Sequence, residues 1–202
     1  MIKPDGSEFE VYFRKQLQGR TQWKTLGLHN VHNALAAIAA AHHAGVPVSV
    51  ALQAIATFKG VKRRLELRGE VKGVRVYDDF AHHPTAIRVT LQGIRDHVST
   101  QGGRLIAVLE PRSNTMRMGV FGTQLRDALQ IADYIALFEP AGLGWNSQKM
   151  MEGSQQPFSI SASIDELIKQ VCKTAKTGDH VVIMSNGGFG GVHQKLLDAL
   201  VV

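Results

Sequence analysis

A chain of 202 residues with 44% apolar and 20% charged side chains is long enough for one good core and is expected to fold as a soluble globular protein. Its formal charge of +6 is scattered, with only Lys62-Arg63-Arg64 clustered and no aromatics interleaved, which argues against nucleic acid and suits an anionic small molecule. The lone Cys172 excludes an internal disulfide or a multi-cysteine zinc site, no apolar run is long enough for a bilayer, and MIKPDGSEFE lacks a signal-peptide pattern, so a cytoplasmic protein with no membrane partner is expected.

Phe9 to Phe13 and Thr21 to Leu26 read as short strands, with Gln18-Gly19-Arg20 as the turn. In GLHNVHNALAAIAAAHHAG, the spacing of Leu28, Val31, Leu35 and Ile38 predicts a helical stripe. Gly45 is its candidate C-terminal cap, and Pro47 blocks continuation. Ser49 is the candidate cap of a second helix, VALQAIATF, which stops at Lys59-Gly60. The pattern then changes. Leu65 to Val71 and Val74 to Tyr77 predict a hairpin around Lys72-Gly73. Strands at 104–109, 134–138 and 180–184 alternate with helices at 84–97, 121–131, 164–176 and 191–200. The excursion from Pro140 to Ser163, rich in Gly, Ser and Gln, reads as a mobile connection.

Apolar strands alternating with amphipathic helices indicate an α/β fold, a mostly parallel Rossmann-like sheet with helices on both faces. The break near Gly60 divides the chain into a strand–helix–helix piece, residues 1–60, and an α/β domain of about 140 residues, 61–202. With so few strands, the leading piece reads as the tail of a larger domain.

Three polar segments are expected at strand ends, where such sheets bind ligands: DDFAHHP, EPRSNT and SNGGFGG. In the first, Pro84 suits the first turn of a helix; either Asp78 or Asp79 orders the loop and the histidines are solvated, or Asp79 holds a ribose hydroxyl and His82 orients a substrate. Adjacent His82 and His83 are poorly placed to chelate one metal by themselves. In the second, Arg112 offers a planar fork for carboxylate or phosphate, with Ser113, Asn114 and Thr115 as neutral partners; pairing with Glu110 is the plainer reading. In the third, four glycines in five positions let backbone N–H groups approach an anion near a helix N-terminus, although the spacing is not G-x-G-x-x-G. On the first helix, His29 and Asn33 lie opposite the apolar stripe, and an asparagine amide suits an adenine edge.

Taken in order, GLHNVHNALAA, GVKRRLE, VYDDFAHHPTAI and LEPRSNTMRMG resemble the Mur ligases, the ATP-dependent amide-forming enzymes of bacterial peptidoglycan synthesis and recycling. The resemblance runs from about Gly27 to the end of the chain. It implies three domains: one for a UDP-sugar, a central ATPase with a P-loop, and a C-terminal Rossmann-like domain. It also implies ATP and Mg2+ as cofactors, UDP-N-acetylmuramate as donor, and the murein tripeptide L-Ala-γ-D-Glu-meso-diaminopimelate as acceptor. The reaction it implies begins with phosphorylation of the lactyl carboxylate, and the alanine amine then displaces phosphate. The sequence contains no G-x-x-x-x-G-K-[ST], so residues 1–60 are expected to be the tail of the central ATP-binding domain, and this chain alone is expected to lack ligase activity. The remaining parts would come from the N-terminal and central domains of the same full-length protein.

By this resemblance Asn30 and Asn33, with His29 beside them, fall on adenine-contacting positions, Arg64 on an arginine that reaches the phosphates, and Asp79 on a ribose-binding aspartate. His82 and His83 fall where substrate is positioned. Pro111-Arg112 resemble the peptide-recognition motif of a diaminopimelate-adding member, followed by Ser113, Asn114 and Thr115; Ser185, Asn186, Gly187 and Gly188 complete the implied peptide site. Magnesium ligands are expected from the missing part, so no metal site is assigned here. The same residues leave two other classes open. A stand-alone nucleotide-binding Rossmann module is one. The other, less favoured, is a metal phosphoesterase of the Asp-His-His type, which needs several aspartates around two metals, whereas Asp96, Asp127, Asp133 and Asp165 fall in expected helices or at strand starts.

Overall fold

A computed structural model describes residues 1–201 and divides the chain into two units, Met1–Lys62 and Arg63–Val202. In the first, β1 (Glu8–Phe13) and β2 (Gln16–Gln22) form an antiparallel hairpin followed by α1 (Leu28–His43) and α2 (Val48–Thr57). The turn falls at Arg14-Lys15, both left-handed at φ 49° and 66°, and not at Gln18-Gly19-Arg20, which lies inside β2. The second strand was mislocated because QLQGRTQ is mostly exposed and carries little apolar alternation.

Helix α1 buries Val31, Ala34 and Ile38, whereas Leu28 and Leu35 are 47% and 38% exposed. The expected stripe is therefore half right: the buried face is rotated toward the small Ala34. Gly45 follows the helix at φ 90°, and the bonds Gly45 N–H to His42 O and Val46 N–H to Ala41 O close a Schellman motif. Pro47, not Ser49, precedes α2, with no side-chain cap. Phe9, Trp23, Val31, Ile38 and Leu52 form the core of this unit.

The second unit is built on a six-stranded sheet in the order β3-β4-β8-β5-β6-β7. Its strands are β3 (Glu66–Val71), β4 (Val74–Asp79), β5 (Leu105–Leu109), β6 (Tyr134–Phe138), β7 (Phe158–Ser161) and β8 (His180–Met184). Only β3 runs antiparallel, so the fold is α/β with a mostly parallel sheet, as expected. Alternate residues of the central strands enter two cores. Leu105, Ala107 and Leu109 pack with α3 (Pro84–Gln101) and α5 (Gly122–Leu129) on one face. Ile106 and Val108 pack with α7 (Ile164–Thr174) and α8 (Val192–Val201) on the other. Burial on both faces explains why the strands read as continuous apolar runs.

The supposed mobile excursion holds α6 (Ser147–Met151) and β7, the edge strand of the sheet. FSIS is four residues long and half-buried over most of its length, so it has neither the length nor the apolar run by which a strand is recognised. A four-residue helix, α4 (Asn114–Arg117), also lies where a loop was expected.

Chain order and strand order together create the site. Strands β4 and β5 lead into helices on one face of the sheet, while β8, inserted between them, leads into α8 on the other. The loops that follow these strands diverge on either side of β8, leaving a crevice at the carboxyl edge.

Candidate functional site

The three polar loops follow β4, β8 and β5, which are adjacent strands, so they do share one rim. Asp78 and Asp79 are the last residues of β4 and are paired to Ile183 and Met184 of β8. Because side chains alternate along a strand, the two carboxylates point to opposite faces. They do not form a pair.

Asp79 is buried and bound within its own chain. One oxygen accepts from Ala81 N–H at 2.8 Å and Thr90 Oγ1–H at 3.1 Å, the other from Leu65 N–H at 2.8 Å. Burial raises its pKa, and these donors together with the charge of Arg64 only partly offset that. Asp78, on the other face, lies 3.2 Å from His193 Nε2 and 3.6 Å from Arg63 Nε. Burial pushes its pKa up, but His193 and then Arg63 outweigh that, and the net shift is downward.

Arg63 was not singled out from sequence, yet it ties the rim together. Its Nη2 donates to Ser185 O at 2.6 Å and Gly187 O at 2.7 Å, and its guanidinium lies 4.9 Å from the Phe80 ring centre. Its backbone O accepts from Phe80 N–H. Within a run of three basic residues, nothing local distinguishes the one that turns inward. Its exposed neighbour Arg64 stacks over Phe80 at 5.8 Å, leaving its charge at the edge of the site.

The two histidines are engaged differently. His82 Nδ1 is 2.9 Å from Phe80 O. A carbonyl only accepts, so that nitrogen carries the proton and Nε2 of the neutral ring is an acceptor. His83 is the N-cap of α3: its Nδ1 accepts from Thr85 N–H, and its ring meets Phe121 edge-on at 4.5 Å. Pro84 opens the helix as expected.

After β5, Glu110 does not take Arg112; its carboxylate accepts from the Ser185 hydroxyl, whose oxygen accepts from Gly187 N–H at 2.9 Å. Ser113 caps α4, with Asn114 and Thr115 exposed beside it. Arg112 is exposed and lies so close over Gly187 that a Cβ there would sit 1.4 Å from its Nη1. The Asn186 Oδ1 is buried without a partner, and Gly188 is exposed next to it. The rim thus presents an exposed guanidinium, an imidazole acceptor and glycine backbone, above a floor in which Asp79 and Glu110 are hydrogen-bonded and Asp78 is paired by charge with His193 and Arg63.

Within the first unit, Asn30, Asn33, Ala34 and Ala37 occupy one face of α1 and line a cavity of about 380 Å³ with Trp23, Ile55 and Phe58. Asn30 Nδ2–H donates to Leu26 O at 2.7 Å, and the Asn33 amide lies 3.4 Å from Asn30 Oδ1. His29 is not part of that lining, since it is off the i, i+3, i+4, i+7 face. Apolar walls with two amides at one end fit a flat heterocycle.

Among the described residues, no group of three His, Cys, Asp or Glu is placed to hold a metal ion, and no helix is long and apolar enough to cross a membrane. Asp133 is held by Arg95 and Asp127 by Arg126, so neither joins His82 and His83 as the phosphoesterase reading requires.

Residues 63–187 match the model of the family described as Mur ligase, glutamate ligase domain. An Escherichia coli (strain K12) protein named UDP-N-acetylmuramate–L-alanyl-γ-D-glutamyl-meso-2,6-diaminoheptandioate ligase is 51% identical over 199 residues, covering 98% of this chain and 43% of that protein. A crystal structure of a murein peptide ligase from Psychrobacter arcticus 273-4 superimposes with a TM-score of 0.69 at 45% identity, covering 100% of this chain and 43% of that one. A crystallised domain of a Haemophilus ducreyi protein with the same kind of ligase name is 42% identical, with a TM-score of 0.58, and is 99% covered by 68% of this chain. The chain therefore spans less than half the length of the curated relatives it matches.

Proposed function

Because the chain belongs to the Mur ligase family, we propose that it supplies the acceptor-binding part of an ATP-dependent, amide-forming ligase of peptidoglycan recycling. On this reading the ligase joins L-Ala-γ-D-Glu-meso-diaminopimelate to UDP-N-acetylmuramate in the cytoplasm. The observation that carries it is the exposed Arg112 guanidinium, lying against Gly187 between the β5 and β8 loops. A planar donor fork with no acid opposite it suits a peptide carboxylate.

The residues divide by the part of the reaction they serve. Residues 1–60 act as the tail of the central ATP-binding domain, with Asn30 and Asn33 holding the adenine on the Trp23 and Phe58 walls. Arg64 supplies a cation for the phosphates. Asp79 shapes the ribose side of the site through the loops it ties, and His83 acts as the cap of α3 that sets His82 beside it. His82 Nε2, an acceptor, orients the attacking amine, and Arg112 with Ser113 to Thr115 and the 185–188 backbone holds the acceptor's carboxylates. The amine attacks an acyl phosphate and expels phosphate. Magnesium, which neutralises phosphate charge in such a reaction, has no ligand set among the described residues of this chain, so none of these roles runs through it.

Titration calorimetry of the 202-residue chain with the tripeptide tests this reading. Binding is expected, and Arg112→Ala should weaken it at least tenfold while leaving ATP affinity within twofold. Equal losses for both ligands would remove the peptide role. No phosphate release from ATP is expected from this chain mixed with both substrates; steady turnover would refute the division of labour proposed here.

A further inference from the structure

The loop after β8 is built largely of glycine, and Gly190 and Gly191 are left-handed at φ 54° and 71°. Such a segment has many shapes open to it, so its shape at the rim must be imposed from outside. At its start, Arg63 Nη2 draws Ser185 O and Gly187 O onto one guanidinium, at 2.6 and 2.7 Å. At its end the loop enters α8, whose second residue is His193. Both anchors meet at one carboxylate, that of Asp78.

Two guanidiniums compete for that carboxylate. Asp78 Oδ2 lies 3.6 Å from Arg63 Nε and 3.9 Å from Arg68 Nη1. Arg68 belongs to β3, where Glu66 gives it a second acid at 3.8 Å. Lengthening the pair from 3.6 to 3.9 Å weakens a Coulomb attraction by only about a tenth, so distance does not decide between them. Nor does the aspartate itself, because the torsion that turns a carboxylate plane is broad.

The other oxygen decides. Asp78 Oδ1 and His193 Nε2 are both buried, neither has a hydrogen-bond partner, and they face each other at 3.2 Å. The two carboxylate oxygens move together, so any turn of Asp78 toward Arg68 moves Oδ1 off the imidazole. His193 thereby keeps Oδ2 at Arg63. Buried charge pairs of this kind are a weak source of net stability, and their best-attested use is to select one arrangement over another.

We propose that His193 is a positioning residue of the acceptor site. It fixes Asp78 on Arg63 in preference to Arg68, and Arg63 then holds the 185–187 backbone against which Arg112 lies. His193 itself touches no substrate. This rests on the acceptor-binding role proposed above and adds to it the device that keeps a glycine-rich loop in one shape.

The test combines calorimetric titration of the 202-residue chain with tripeptide and the NMR signal of the Arg63 Nε–H, assigned by its loss in Arg63→Lys. His193→Leu should weaken the tripeptide about tenfold, the scale of one hydrogen bond to a charged group, and should shift the Arg63 signal. Arg68→Gln added to it removes the competing cation, so most of the affinity should return and the Arg63 signal with it. Leu196→Ala, one turn further along α8, opens a cavity in the core and has no charge or hydrogen bond to offer Asp78. It should lower the melting midpoint but leave tripeptide affinity within about twofold. His193→Phe, which keeps a ring and loses its nitrogens, takes the place of His193→Leu should that variant not fold. Unchanged affinity in the His193 variant, or a loss that Arg68→Gln does not recover, overturns the positioning role while the acceptor role stands. If the parent chain binds no tripeptide, the acceptor role fails and the positioning role with it.

Discussion

Gly187→Ala separates the placement of Arg112 from the stability of the fold. Gly187 does not occupy the left-handed region, so alanine is tolerated by its backbone. Loss of chain entropy in the unfolded state then stabilises the variant by about 0.4–1 kcal/mol. The backbone bonds of the loop, Gly187 N–H to Ser185 Oγ and Arg63 to Gly187 O, do not involve the new methyl group. What the methyl does meet is Arg112: 1.4 Å from Nη1, 2.3 Å from Cζ and 2.5 Å from Cδ. The guanidinium must swing away from the crevice. A hydrogen bond to a charged group contributes about 1.5–3 kcal/mol, so the tripeptide should bind roughly ten- to a hundredfold more weakly. Calorimetric titration gives that loss, and a thermal melt should show no decrease in stability. In a double-mutant cycle, Gly187→Ala added to Arg112→Ala should cost almost nothing more. A further tenfold loss on that background would refute the reasoning, as would unchanged affinity in the single variant.

Three other perturbations probe the floor of the site and the far end of the sheet. Arg63→Ala leaves buried Asp78 with one cationic neighbour fewer and frees two carbonyls, at a cost of about 3 kcal/mol. The melting midpoint should fall by roughly 6–12 °C; a shift under 2 °C would show the bonds to be dispensable. Asp79→Ala strands three donors and should lower the midpoint by a similar amount without any nucleotide present. An unchanged melt with lost ATP binding would place that carboxylate on the ribose instead. His180 is fully buried against Tyr77, and burial, then Arg75 and His97, lower its pKa from 6.5 to about 4. A depressed folded pKa means that the unfolded chain binds the proton first, so stability present above pH 6.5 is lost as pH falls toward 4. By pH 4.5 this amounts to about 2.5 kcal/mol. Urea unfolding at pH 7 and 4.5 should show a smaller acid loss in His180→Gln than in the parent chain, and equal losses would exclude His180 as the source.

The strands of the second unit were legible because burial on both faces leaves runs such as RLIAVL and HVVIM, and their adjacency at β4, β8 and β5 made the shared rim a sound inference. The cavity of about 250 Å³ between α4, α5 and α6 was not legible. Its walls come from Met116 to Arg126 and from Trp145 to Met150, segments that meet only because β5 and β6 are neighbours. Nor was the inward turn of Arg63, which depends on left-handed φ values at Arg63 and Leu65 that no local motif announces.

In DDFAHHP a two-residue error changed the chemistry. Ending the strand at Tyr77 leaves both aspartates in a loop, free to act together with the histidines. The strand in fact runs through Asp79, and its two-residue period then sends Asp78 toward Arg63 and His193, and Asp79 toward Thr90 and Leu65. Each acid is bound within its own face, and His83 is taken by the helix cap. What remains available at the rim is the acceptor nitrogen of His82 and the uncommitted guanidinium of Arg112, one on each side of β8. An acceptor for an amine and a cation for a carboxylate are the two ends of an amino acid, which is why the rim suits a peptide better than a metal.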